Sequence, residues 1–174
     1  MPLTLLTGGA RSGKSALAVR RAGRTGDPVV FVATGQARDD EMADRIARHR
    51  AERPAPWTTV EAPLELLAAV EQLAAGRAVV VDCLSLWVSN LMEQGEDEQA
   101  LTDRAAALAD WATAYPGLVV VVTNEVGMGI VPMHPVAREY RDRLGRVNAT
   151  VARRADLVQL VVAGRTLTLD PEED

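Results

Sequence analysis

Residues 8–15 read GGARSGKS and follow the apolar run LTLLT of residues 3–7. Gly8, Gly9, Ala10, Arg11, Ser12, Gly13, Lys14 and Ser15 satisfy the pattern G-x-x-x-x-G-K-[ST], with a strand-like run before it and helical spacing after it. The chemistry of that pattern is phosphate binding. Glycines let peptide N–H groups turn inward around phosphate oxygens, and the following helix offers its positive end to the same anion. Lys14 can reach the β and γ oxygens as a point charge, and the Ser15 hydroxyl suits Mg²⁺. Lys14 is also the one lysine among 19 basic residues. A compact ammonium on a flexible stem is not replaced by a planar guanidinium, which accounts for a lysine kept here alone. The plainer alternative is a glycine-rich turn that binds nothing.

A second strand end points to the same site. In VVVDC, residues 79–83, Asp82 follows an apolar run and is placed to orient a Mg²⁺ shell across from Ser15. A simple turn or cap residue is the competing reading. His49 lies in DDEMADRIARHRAERPAPW, residues 39–57, among Arg48, Arg50 and Arg53. Taken bare, a histidine among arginines on a polar helix is a solvated surface residue. Its chemistry allows more. Neutral imidazole is a nucleophile toward phosphorus, its ordinary pKa of about 6.5 leaves much of it neutral at pH 7, and adjacent guanidinium groups raise that fraction. The same arginines could neutralise a triphosphate under attack.

The elements that must position these residues alternate. Apolar runs at residues 3–7, 29–34, 78–83, 118–124 and 157–162 suit strands covered on both faces. Helical spacing marks residues 15–23, 39–51, 64–75, 99–114 and 136–155. Residues 58–63 predict a short extra strand, and TLTLD, residues 166–170, predicts an edge strand antiparallel to 157–162 across Gly164. The acidic run EQGEDEQ, residues 93–99, reads as a solvated loop. The implied architecture is α/β, a three-layer P-loop NTPase fold of the RecA-like kind, with a mostly parallel central sheet and an antiparallel edge.

The 174 residues fit one catalytic domain over 1–174, with enough chain to bury a core without staples. The formal net charge is −5 and the arginines are interleaved with acids, which disfavours a hold on a nucleic-acid backbone and favours a small anionic ligand. Cys83 alone cannot form an internal disulfide, and no long apolar span or leader is evident, so the expectation is a cytoplasmic protein without a membrane span. Guanine-specific switch proteins read the base with an Asn-Lys-x-Asp segment, and a chain whose one lysine is Lys14 has none. Recombination-type motor ATPases stay formally open, while small-molecule kinases suit the size better.

Three blocks in order, GGARSGKS, DDEMADRIARHRAERPAPW and TNEVGMGIVP (residues 123–132) followed by AREYRDRLGRVN (137–148), resemble the bifunctional adenosylcobinamide kinase and adenosylcobinamide-phosphate guanylyltransferase family of cobalamin biosynthesis. The resemblance implies phosphorylation of adenosylcobinamide by ATP or GTP, then GMP transfer from GTP to the product with loss of pyrophosphate. It implies a guanylylated histidine at His49, with His134 left as a loop residue. By the same resemblance Arg50, Ala51, Glu52, Arg53 and Glu61 contact guanine nucleotide, Thr34, Gly35 and Gln36 form another nucleotide-contacting turn, and Asp82 matches an acidic position. Mg²⁺, a corrinoid acceptor and a homotrimer are implied as well. After Glu125, the two glycines flanking Met128, Gly127 and Gly129, let the backbone pass close to a ligand or a neighbouring subunit; a sharp loop without contacts is the alternative. Two rivals remain: a P-loop kinase of another small alcohol, and a nucleotide-gated binding module. Neither would form a covalent nucleotide adduct.

Overall fold

A computed structural model describes residues 3–37, 39–51 and 53–171, without the side chains at 41, 45 and 49. Among the described residues, seven strands and six helices follow in the order β1 (Leu3–Thr7), α1 (Lys14–Gly23), β2 (Val29–Ala33), α2 (Asp40–Ala51), β3 (Thr58–Glu61), α3 (Leu66–Glu71), β4 (Ala78–Asp82), α4 (Leu84–Glu93), α5 (Glu98–Ala114), β5 (Val119–Val122), α6 (Pro135–Ala152), β6 (Leu157–Val162) and β7 (Arg165–Leu169). They form one sheet in the order β3-β2-β4-β5-β1-β6-β7. Every pairing is parallel except β6 with β7.

The continuous apolar runs are explained by what covers them. Val79 and Val81 of β4 face a core with Leu84, Trp87 and Leu91 of α4, Leu101 and Leu108 of α5, and Leu144 and Val147 of α6. Ala78 and Val80 face a second core with Ala18 and Ala22 of α1 and Phe31 of β2. Both faces of the central strands are therefore dry, and each fully buried Val or Leu contributes roughly 1.5–3 kcal/mol. The edges differ: β3 is half-exposed and β7 exposed throughout. Ala163 and Gly164, with φ of 50° and 76°, make the two-residue turn of the β6–β7 hairpin, a geometry for which glycine is suited.

Most expected elements occur within a few residues of their predicted bounds. The exception is α4, whose sequence LSLWVSNLME continues the apolar run of β4 without a polar stripe. Its polar members turn inward: Ser85 and Asn90 are buried, and Asn90 Nδ2 donates to the carbonyls of Thr34 and Pro63, both at 2.9 Å. Trp87 Nε1 donates to Leu64 O at 2.7 Å, tying the chain before α3 to α4. That tie, together with the left-handed Gly76, leaves α3 shorter than the expected 64–75. The acidic run 93–99 is a loop only in its middle, because Glu93 ends α4 and Asp97 caps α5 by accepting from Ala100 N at 2.8 Å. Among the described residues no helix is long and apolar enough to cross a membrane.

Candidate active site

The C-terminal ends of β1, β2, β4 and β5 open onto a cavity of about 490 Å³, the place where open parallel sheets bind ligands. One wall is the loop between β1 and α1. Gly8 has φ 147°, and a Cβ there would fall 2.2 Å from Val161 O, so only glycine lets β1 end against β6. Gly13, φ 100°, precedes α1, and the Ser12 carbonyl accepts from Gly164 N at 2.9 Å. Lys14 opens α1 with a buried side chain whose Nζ donates to Gly8 O at 2.8 Å, Gly9 O at 2.6 Å and Ser12 Oγ at 3.3 Å. These acceptors compensate the desolvation of the ammonium and hold it across its own loop. The N-terminus of α1 adds its partial positive charge to the same spot.

The opposite wall ends β2 and β4. Asp82 Oδ2 is buried with no hydrogen-bond partner among the described residues. A buried carboxylate oxygen left in that state is costly unless a cation or donor meets it. With the Ser15 hydroxyl in the same cavity, it fits a Mg²⁺ ion completed by phosphate oxygens and water. No group of three or more His, Cys, Asp or Glu among the described residues offers an all-protein cage, and Mg²⁺ does not need one. The Asp82–Cys83 peptide is cis.

Thr34 holds this wall together. It is fully buried; its Oγ1 donates to Cys83 O at 2.7 Å and accepts from Cys83 N at 2.9 Å, and its own N–H donates to Asp82 O at 3.2 Å. Cys83 Sγ lies 2.8 Å from Ser85 Oγ, and burial, then the neighbouring Asp82 charge, pushes its thiol up to about 11. Thiolate, the reactive form, is scarce at pH 8 under those conditions. Cys83 is therefore expected to resist a thiol reagent in the native protein at pH 8 and to react at once in denaturant. Equal rates in the two states would show that the wall opens readily. Because the folded thiol titrates above an unfolded one, its contribution to stability is present below about pH 9 and lost as pH rises toward 11.

The third wall is α2 with β3. Asp39 Oδ1 accepts from Met42 N at 2.7 Å, making Asp39 the cap of α2, which begins one residue inside the expected start of the helix at 39. Met42, Ile46, Arg48 and Arg50 line the cavity from this helix. Arg50 pairs with Glu61 at 2.6 Å, but both are more than half exposed, so the pair contributes little and can rearrange around a ligand. Arg53 stacks 3.5 Å from the centroid of the Phe31 ring and donates to Thr59 Oγ1 at 3.0 Å. Its Nε is buried without a partner among the described residues. Burial lowers its pKa, opposed by the attraction of Asp82.

Of the residues expected to bind nucleotide, the cavity brings together Arg11, Ser12, Gly13, Lys14, Ser15, Gly35, Arg50, Arg53, Glu61 and Asp82. Gly8, Gly9, Ala10, Thr34, Gln36 and Ala51 do not line it; Gly8, Gly9 and Thr34 support residues that do. Glu52 and the side chain of His49 lie outside the described residues. Asn124 lines the cavity and had no assigned role. Its Nδ2 donates to Ser85 Oγ at 3.0 Å and its carbonyl accepts from Asn148 Nδ2 at 3.0 Å. The signal was an asparagine just past the end of a valine strand, beside the P-loop strand in the sheet.

Comparison with known proteins follows the same lines. A family described as cobinamide kinase / cobinamide phosphate guanyltransferase matches residues 4–169. The bifunctional adenosylcobalamin biosynthesis protein CobP of Pseudomonas aeruginosa is 45% identical over 169 residues, covering 97% of each chain. The bifunctional adenosylcobalamin biosynthesis protein CobU of Salmonella typhimurium is 43% identical over 176 residues, covering 93% of this chain and 96% of that one. Among solved structures, the PH0250 protein of Pyrococcus horikoshii superposes with a TM-score of 0.60 at 10% identity, over 96% of this chain and 85% of that one. The RadB recombinase superposes at 0.53 and 17% identity, over 91% and 73%. These two likenesses show the fold.

Proposed function

The chain belongs to the cobinamide kinase / cobinamide phosphate guanyltransferase family, and from that membership we propose that the cavity at the strand ends serves two reactions in turn. In the first, the hydroxyl on the aminopropanol arm of adenosylcobinamide attacks the γ-phosphorus of ATP or GTP and a nucleoside diphosphate leaves. In the second, the His49 imidazole attacks the α-phosphorus of GTP; an N–P bond forms as the α–β P–O bond breaks, and pyrophosphate departs. The phosphate of adenosylcobinamide phosphate then displaces the histidine, giving adenosylcobinamide-GDP.

The observation that carries this reading is the shared cavity: the phosphate loop with Lys14 on one side, Asp82 with its unpartnered oxygen on another, and the arginines of α2 on a third. Phosphoryl transfer needs little covalent help from a protein and much positioning and charge. Lys14 and the N–H groups of the loop would gather the β and γ oxygens. Arg50 and Arg53 would take charge building on pyrophosphate, Arg53 with an Nε still to be satisfied. Ser15 and Asp82 would hold Mg²⁺, which when bound neutralises charge on the phosphate oxygens. Position 49 lies in α2, three residues after Ile46 and seven after Met42, both of which line the cavity. That spacing returns to one side of a helix. We place the enzyme in the cytoplasm as a homotrimer of single-domain subunits.

The test is incubation with Mg²⁺ and GTP labelled at the α-phosphate, then intact mass and peptide mapping. A GMP-sized, acid-labile adduct on His49 is expected. Folded protein that binds GTP and carries no adduct would leave a kinase alone.

A further inference from the structure

Residues 123–134 join β5 to α6 and carry an apolar surface that the chemistry described so far does not use. Met128, Ile130 and Met133 are 77%, 98% and 96% exposed, and Val126, Val131 and Val136 are exposed beside them in sequence. Such a concentration of large apolar side chains in water marks a binding surface rather than a packing accident. The loop has anchors at both ends. Glu125 donates its N–H to Gly8 O at 3.0 Å and accepts from Gly127 N through its carboxylate, fixing the near limb to the phosphate loop. Arg138 of α6 donates to Pro132 O at 3.0 Å and Met133 O at 2.6 Å, fixing the far limb.

We propose that this loop is the docking surface for the macrocycle of the corrinoid acceptor. The inference rests on the functional reading above and names where its largest substrate lies. A cavity of about 490 Å³ suits a nucleotide, and a corrin ring cannot share it. Only the aminopropanol arm enters, so the ring must rest on protein surface next to the mouth. The loop starts there, because Asn124 is part of the cavity wall and Val126 is two residues on. Its chemistry matches the ring. A corrin presents methyl-rich hydrocarbon faces and a rim of neutral amides. From Val126 to Met133 the loop carries no charged side chain, which suits the hydrocarbon face of the ring. Thioether and branched aliphatic side chains would cover the ring face. The open peptide groups at Gly129, where an added Cβ would meet nothing within 4 Å, are accessible to the rim amides.

The experiment is the double variant I130S/M133S in the full chain, both sites being almost wholly solvent-exposed, with I130L/M133L as the conservative control. KM for adenosylcobinamide and the dissociation constant for cobinamide itself are expected to rise about 10- to 100-fold in the serine variant, the loss falling on KM more than kcat. GTP affinity holds, the leucine variant stays close to wild type, and the mass by light scattering is unchanged. Wild-type turnover with an unaltered KM in the serine variant would overturn the docking surface and leave the function standing. A mass that falls on substitution would assign the loop to a contact between copies and overturn it too. Wild-type protein that neither binds cobinamide nor phosphorylates adenosylcobinamide would remove both the surface and the function.

Discussion

Lys14→Ala is expected to lower both phosphoryl transfer and GMP transfer by about a thousandfold or more in kcat/KM, the scale on which phosphate-clamping charges act. Both reactions would be affected because, in the proposed scheme, both donors place their phosphates in the same loop. The loss is larger than a surface charge would give because the ammonium is buried and directed by three acceptors, Gly8 O, Gly9 O and Ser12 Oγ. In that setting the charge is poorly screened and already positioned before nucleotide arrives. Lys14→Arg is expected to rescue little. A planar fork cannot meet acceptors arranged for a tetrahedral ammonium. Removal also leaves buried loop carbonyls short of a donor, at about 1–3 kcal/mol, so thermal melting must accompany the kinetics. A folded Lys14→Ala protein that retained either activity within tenfold of wild type would mean that the loop is not the phosphate site for that reaction.

How far the sequence alone carries depends on where the determining contacts lie. The phosphate loop was legible because its rules are local: glycines for unusual φ, a lysine and a serine at the head of a helix. The parallel sheet was legible because strands buried on both faces leave no polar alternation, and the β6–β7 hairpin because Gly164 supplies a left-handed turn. The helix α4 was missed for the same physical reason that made the strands visible. Its surroundings bury most of its surface, so it lacks the polar stripe by which helices are recognised. Thr34 shows a further limit. Expected beside nucleotide, it bonds across the sheet to Cys83, 49 positions away, and to the Asp82 carbonyl, ties that no spacing rule shows. Asn124 likewise depends on Ser85 and Asn148, partners distant in sequence that no spacing rule connects. The stacking of Arg53 on Phe31 is equally non-local.

The sharpest separation between the two proposed activities is His49→Ala. This variant is expected to lose GMP transfer by at least about a thousandfold, since the covalent route has no nucleophile without the imidazole. Kinase turnover is expected within about tenfold of wild type, because the proposed γ-phosphoryl transfer relies on Lys14, Ser15 and Asp82, which lie at the head of α1 and on β4 rather than on α2. Alanine is a strong helix former, so the substitution itself favours α2 and any loss is not traceable to helix propensity. The α-labelled adduct must vanish in the same protein while GTP binding persists. Adenosylcobinamide phosphate should then accumulate from adenosylcobinamide in the presence of ATP, a product pattern that neither a damaged phosphate loop nor global unfolding can produce. Equal loss of both activities in a folded variant would contradict the division of roles and make the histidine part of nucleotide binding common to the two steps. Retained GMP transfer would require direct displacement on GTP by the corrinoid phosphate, leaving the arginines of α2 as charge partners alone.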